Sequence, residues 1–197
     1  MRRWVLFVGM TALLVLGGVG CWNPFSPDGD GNGHNTIGDR KNPDNLLEFF
    51  AMAYEDRSIE RYAEALDSDY RFQFMEKDWE GAGVPPNAPY WGKTEDVPRT
   101  ELMFESEKTT GISFEFGSKL FVNWLPVTDT IFVEGLPVEV DALLERYAPE
   151  ISVIVEGDEG STTYWVNESW VEIKVIQDRF DPSLWTILRI EEMPKGS

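Results

Sequence analysis

One cysteine, Cys21, and one histidine, His34, are all that the chain has of either residue. A lone cysteine rules out a disulfide within the chain, so stability has to come from the core. The histidine sits in a segment of Gly, Pro, Asn and Asp. That leaves little support for a serine triad, a histidine-dependent cyclase or a histidine-bearing zinc centre. Positive charge is scarce as well: 17 Lys plus Arg stand against 35 Asp plus Glu, a net charge of −18. So acidic a surface repels phosphate backbones, which excludes nucleic acid as a partner, and it opposes docking onto anionic lipid. No catalytic signature and no internal repeat is visible, and nothing calls for a cofactor.

Charge is absent altogether from Trp4 to Gly20, a run that follows Arg2 and Arg3 and closes on Gly18-Val19-Gly20-Cys21. A basic start, an apolar middle and small residues before a cleavage point read as a secretory signal. The lone cysteine straight after the small residues resembles the lipobox of bacterial lipoproteins, although Gly18 stands where that motif usually has Leu. An uncleaved membrane helix competes, but the run is near the minimum span of ~17–20 residues and is interrupted by Gly9, Gly17, Gly18 and Gly20. Ordinary signal cleavage, leaving Cys21 free, is the other alternative. The resemblance implies loss of residues 1–20 and lipid on Cys21, so that membrane lipid is a partner. Several acyl chains anchor stably where one does not. Trp22 is not the aspartate that marks inner-membrane retention, so the outer membrane, facing the periplasm, is the expected location. Without Arg2 and Arg3 the charge balance becomes 15 against 35, near −20.

Residues 21–42 read as a flexible linker with no hydrophobic period. Within it, Asp28, Asp30, Asn32 and Asp39 fall at positions 1, 3, 5 and 12 of a calcium loop, with Gly33 at position 6. Asn35 takes the usual apolar position, Asp39 replaces the bidentate Glu, and Pro24 and Pro27 deny it an entering helix. A plain linker is the competing reading.

The remainder, 43–193, is the size of one domain, able to bury about two thirds of its unfolded surface. Asn42 caps a helix that starts at Pro43 and carries Leu46, Phe49, Phe50 and Ala53 on one face. Ser58 caps a second, with Ile59, Tyr62, Ala63 and Leu66 as its stripe, ended by Asp67-Ser68-Asp69. Tyr70 to Phe74 alternates as a strand, 81–92 is a loop, and a third helix runs from Thr94 to about Ser106. Ile112–Phe116, Lys119–Trp124, Ile151–Glu156, Thr162–Gln177 and Leu184–Glu192 are strand-like, while Thr130–Glu134 and Pro137–Tyr147 read ambiguously. Val140–Tyr147 fits a strand or a short helix, and Gly157 to Gly160 is a hairpin turn.

The order of two helices, a strand, a helix and then long strands resembles the nuclear transport factor 2-like superfamily. The residues that carry the resemblance are Asp44-x-x-Leu47-x-x-Phe50-x-x-Ala53-Tyr54, then Ser58-Ile-Glu-Arg-Tyr62 through Leu66, Asp69-Tyr70-x-Phe72-x-Phe74, and Trp185 to Glu192. The stretch 117–150 departs from it and reads as an insertion. The resemblance implies an α+β fold: N-terminal helices packed on a curved, mainly antiparallel sheet, forming a cone whose mouth holds a ligand in some members. Among them are ketosteroid isomerases and polyketide cyclases, which use a carboxylate base and a tyrosine donor. Phe74 and Phe50 fall at those two positions, and neither moves a proton or donates a hydrogen bond.

Binding candidates remain. Tyr54 and Asp69 lie near one end of the helical pair. Glu168, Trp170 and Glu172 share one face of the strand 162–177, and Arg189 on the neighbouring strand is their expected partner; an ordinary solvated face is the competing reading. Trp91, Trp124, Trp165, Trp170 and Trp185 suit a stacked ligand or simply the core. The expectation is a non-catalytic binding or protein-interaction domain with an unknown small ligand or envelope protein as partner, and a homodimer through the sheet as an option. A carboxylate-dependent isomerase or cyclase and a structural envelope component are the alternatives.

Overall fold

The computed structural model describes residues 39–120, 123–157, 160–166 and 169–194. Helix α1 (Pro43–Glu55) begins where Pro43 presets the first turn and the Asn42 side chain accepts the Asn45 N–H at 2.9 Å. Its inner face is the expected Leu46, Phe49, Phe50 and Ala53, widened by Leu47 and Tyr54. Arg57, at φ 53°, turns the chain into α2 (Ile59–Ala65), capped by Ser58. Tyr62 and Ala65 are its buried residues, in place of the Ala63 of the expected stripe.

Strand β1 (Leu66–Gln73) starts four residues before the expected Tyr70. Asp67 and Asp69 do not end the helix. They are strand residues, and Arg179 binds both carboxylates. The expected loop 81–92 contains the end of a short helix α3 (Trp79–Ala82) and a short strand β2 (Tyr90–Gly92). Trp79 and Trp91 secure them by donating their indole N–H groups to Phe74 O and Ala82 O. Helix α4 (Lys93–Phe104) follows, with Pro98 inside it.

The strands β3 (Thr109–Lys119), β4 (Leu125–Val133), β5 (Leu136–Gly157), β6 (Gly160–Val166), β7 (Ser169–Gln177) and β8 (Trp185–Pro194) complete the sheet. Its main order is β2-β1-β8-β7-β5-β3, with β4 and β6 also paired to β5; β1 and β8 are parallel and the other pairs antiparallel. This is the expected α+β arrangement. The ambiguous Val140–Tyr147 belongs to β5, a single strand of 22 residues. The expected strand 162–177 is two strands, β6 and β7. Both pair with β5, β6 along Ile151–Gly157 and β7 along Leu143–Tyr147.

Two cores result. Against the helices the sheet presents Tyr147, Val171, Ile173, Val175, Ile187 and Ile190, all at most 2% exposed. On its other face lies a smaller cluster of Ile131, Ala142, Ile176 and Leu188. The second core exists because 125–144, part of the stretch 117–150 read from the sequence as an insertion, folds as a hairpin arm of β4 and the first part of β5. A buried Ile or Leu side chain contributes about 1.5–3 kcal/mol, so three of them hold the arm down substantially. Arg40, assigned by sequence to the linker, is 6% exposed. Its guanidinium reaches Glu64, Asp178 and Trp185 O, because Asp178 and Trp185 sit where the last two strands begin and end. Arg40 thus packs against the folded body ahead of Pro43.

Candidate functional site

The helix-side core contains a polar centre. Helix α1 contributes Tyr54, α2 Tyr62, β1 Tyr70, and α4 Asp96 and Thr100, all between 1% and 6% exposed. Tyr62 Oη donates to Asp96 Oδ2 at 2.8 Å. Burial pushes the Asp96 carboxyl up to about 6, against the opposing pull of Tyr62, Tyr70 and Arg99. Tyr70 Oη is near enough to act on that carboxyl but makes no hydrogen bond of normal geometry. Burial first, and then the Asp96 charge, hold the Tyr54, Tyr62 and Tyr70 phenols above the usual range, so they stay neutral. Aromatic rings pack around the centre: Tyr54 stacks on Phe114 at 4.9 Å and meets Phe50 and Phe104 edge-on at 5.4 and 5.5 Å.

Two more carboxylates belong to this side. Glu145 stands between Leu143 and Tyr147 on β5, opposite Ile173, wholly buried, with Oε1 accepting the Arg146 N–H at 2.9 Å. On β8, burial and then the nearby Asp78 push Glu192 up to about 7. Sequence reasoning missed all three acids. Asp96 reads as an ordinary first-turn acid of α4. Glu145 was hidden in a stretch read as either helix or strand. A period-two reading of Leu143-x-Glu145-x-Tyr147 would have flagged it.

The opposite face carries a second polar centre, under the arm. Arg189 donates to Asp69 O at 2.7 Å, Leu188 O at 2.8 Å, Thr130 O at 2.8 Å and Asp129 Oδ1 at 3.3 Å. Asp69 Oδ2 accepts the Phe132 N–H at 2.9 Å and Arg179 Nη2 at 2.5 Å. Burial works to raise Asp69, but Arg179, the Phe132 N–H and Arg189 hold it below the usual carboxylate range. The Thr130 carbonyl and the Phe132 N–H lie on the edge of β4 that faces away from β5. A guanidinium and a carboxylate thus occupy the place of a partner strand.

Of the expected site residues, the structure brings Asp69 and Arg189 together. Tyr54 lies in the other centre. Glu172 is not the partner of Arg189: register sets Arg146 directly opposite Glu172, and the two pair at 2.9 Å. Lys174 is the residue opposite Arg189, and both reach Asp129. Trp170 is half-buried on β7, with Met193 as its partner. Glu168, Cys21, Asp28, Asp30 and Asn32 lie outside the described residues. Asp39 bonds Lys41 and accepts Asn45 Nδ2 at 2.9 Å beside the start of α1. Among the described residues no group of three or more metal-ligating side chains forms, and no helix is long and apolar enough to cross a membrane.

Beside the arm lies a half-open pocket of about 550 Å³. Val127, Ile131, Val140, Ala142 and Ile176 are apolar residues of its lining, and Asp141, Gln177, Arg179 and Trp185 are among the others.

No family model matches the chain, and no curated protein does. Among solved structures it is similar to the Kfla4162 protein of Kribbella flavida, with 8% identity, 76% of this chain and 86% of that chain covered, and a TM-score of 0.46. ActVI-ORFA of Streptomyces coelicolor gives 9% identity over 77% of this chain and 96% of that chain, with a TM-score of 0.45. The CaMKII hub of S. rosetta gives 9%, 76%, 91% and 0.42 in the same order.

Proposed function

We propose that this chain is a membrane-tethered domain, anchored through lipid on Cys21, that binds a ligand or envelope protein without transforming it. The observation that carries this reading is the filling of the space between helices and sheet. Phe50, Tyr54, Tyr62, Tyr70, Phe72 and Phe114 are each at most 2% exposed there. A general acid or base has to come within about 3 Å of a substrate atom, and side chains already surround Asp96 and Glu145. Exposed large apolar residues gather instead on the arm, at Leu125, Phe132, Val133, Leu136 and Val138. Intact mass of the full chain made in a bacterial host tests the anchor. Loss of residues 1–20 with acyl chains on Cys21 is expected, and an intact leader overturns it. Water-soluble carbodiimide tests the filled interior: native protein at pH 6 is expected to leave Asp96 unlabelled, and rapid labelling overturns the reading.

A second reading, a carboxylate-dependent isomerase or cyclase, is favoured by the raised Asp96 and Glu192. Substrate-protected labelling of either carboxyl would establish it. Outer-membrane attachment and a homodimer through the sheet stand as parts of the main proposal; membrane fractionation and sedimentation equilibrium read them directly.

A further inference from the structure

We propose that the pocket beside the β4–β5 arm is a binding site for a small uncharged apolar molecule carrying a hydrogen-bond acceptor such as a carbonyl oxygen. The inference names a ligand class for the binding role above but does not depend on the anchor.

The volume, about 550 Å³, lies within the ~300–1,000 Å³ typical of small-molecule sites. The chemistry of the lining sets the ligand class. Val127 and Ile131 on β4, Val140 and Ala142 on β5, and Ile176 on β7 offer carbon to an occupant. Arg179 is the cation of the same lining. Its Nη2 binds both Asp67 and Asp69, while Nη1 makes no hydrogen bond to another described residue and stays available as a donor. The Gln177 amide is a further donor in the lining.

Charge excludes an anion. The one cation of the described lining, Arg179, is already paired with Asp67 and Asp69, and Asp141 stands in the same lining. A carboxylate or sulfonate entering here finds no unpaired positive charge to offset its desolvation, a cost that a neutral acceptor oxygen does not carry. The arm is also fixed at a set height above the sheet. Arg189 to Thr130, Asp69 to Phe132 and Lys174 to Asp129 strap it down along its β4 side. Ile131 and Ala142 of the arm join Ile176 and Leu188 of the sheet in the second core, so straps and core together fix the arm's height, and the pocket is bounded by that packed cluster. Pre-formed space of this kind spares an entering ligand the cost of opening it.

The test uses the full chain and the uncharged fluorophore N-phenyl-1-naphthylamine. Saturable binding at one site per chain is expected, with displacement by 2-decanone. Val140 and Val127 are half-buried, so Val140→Phe and Val127→Phe narrow the pocket at a tolerant edge; each is expected to weaken the probe about tenfold with an unchanged melting midpoint. Leu136→Ser, at the exposed arm tip, should leave probe binding as it was, which separates this site from any partner surface there. The anionic 8-anilino-1-naphthalenesulfonate should bind at least about tenfold more weakly. Absence of saturable probe binding overturns the proposal. So does binding indifferent to both Phe variants, or equal affinity for the anionic probe.

Discussion

Replacing Asp96 by Asn should make this protein more stable at neutral pH, the reverse of the usual effect of altering a buried hydrogen-bonded residue. Burial lifts the Asp96 carboxyl from 3.8 to about 6. A shift of about two units corresponds to about 3 kcal/mol between the two protonation states. The raised value means that the folded protein holds the proton more tightly than the unfolded chain. The resulting stability is fully present below about pH 4, is lost as pH rises through about 6, and is absent at pH 7 and above. Asn is neutral throughout, so the variant lacks this loss. Its Oδ1 can still accept from Tyr62, and its amide meets the Tyr70 hydroxyl, which has no partner of normal geometry. Exchanging a charged acceptor for a neutral one costs about 1 kcal/mol, which leaves a net gain of about 1–2 kcal/mol at pH 7.5. Urea unfolding followed by tryptophan fluorescence, wild type beside variant, supplies the difference at each pH. That difference should shrink steadily from pH 7.5 to pH 4. A variant less stable than wild type at pH 7.5, or a difference independent of pH, refutes the assignment of Asp96 as a carboxyl strained by burial.

Three further outcomes follow from the same structure. Phe50→Ala removes a ring that contacts Tyr54, Tyr62 and Phe114, and should cost about 3–5 kcal/mol in denaturant unfolding. Arg189→Met releases the Thr130 carbonyl and leaves Lys174 as the one ion-pair partner of Asp129 among the described residues, so hydrogen exchange should quicken at arm amides such as Ile131 while Val171 and Ile173 in the main core stay protected. Arg40→Met should cost about 1–3 kcal/mol in denaturant unfolding, because it strips Asp178 and the Trp185 carbonyl of their guanidinium partner while leaving the Asn42 cap in place; equal stability would show Arg40 to be dispensable.

The helical half of the fold was legible because its signals are local. Asn42-Pro43 and Ser58 announce helix starts by their own chemistry, and the period of Leu46, Phe49, Phe50 and Ala53 needs no distant partner. The strands were legible as strand-like runs but not in their extents. Asp67 and Asp69 look like helix terminators until Arg179, more than a hundred residues later, turns them into strand residues. Leu143-x-Glu145-x-Tyr147 reads ambiguously because Ala142 and Leu144 are also apolar, and only the existence of a second core on the far face explains why both parities are buried. The candidate site suffered most for the same reason. Asp69 and Arg189 were found as polar residues in apolar company, whereas the pairing of Glu172 with Arg146 depends on register, which a sequence alone does not fix.

The 22-residue β5 serves both cores at once, and this constrains how the gene can change. Leu143, Glu145 and Tyr147 look one way while Ala142, Leu144 and Arg146 look the other. Loss or gain of a single codon anywhere between Ala142 and Tyr147 would swap those roles for everything on one side of it, driving Arg146 inward or expelling Tyr147. Length variation among descendants of this sequence should therefore be found at the Glu134-Gly135 turn, where two residues at a time lengthen or shorten the projection without inverting either ladder.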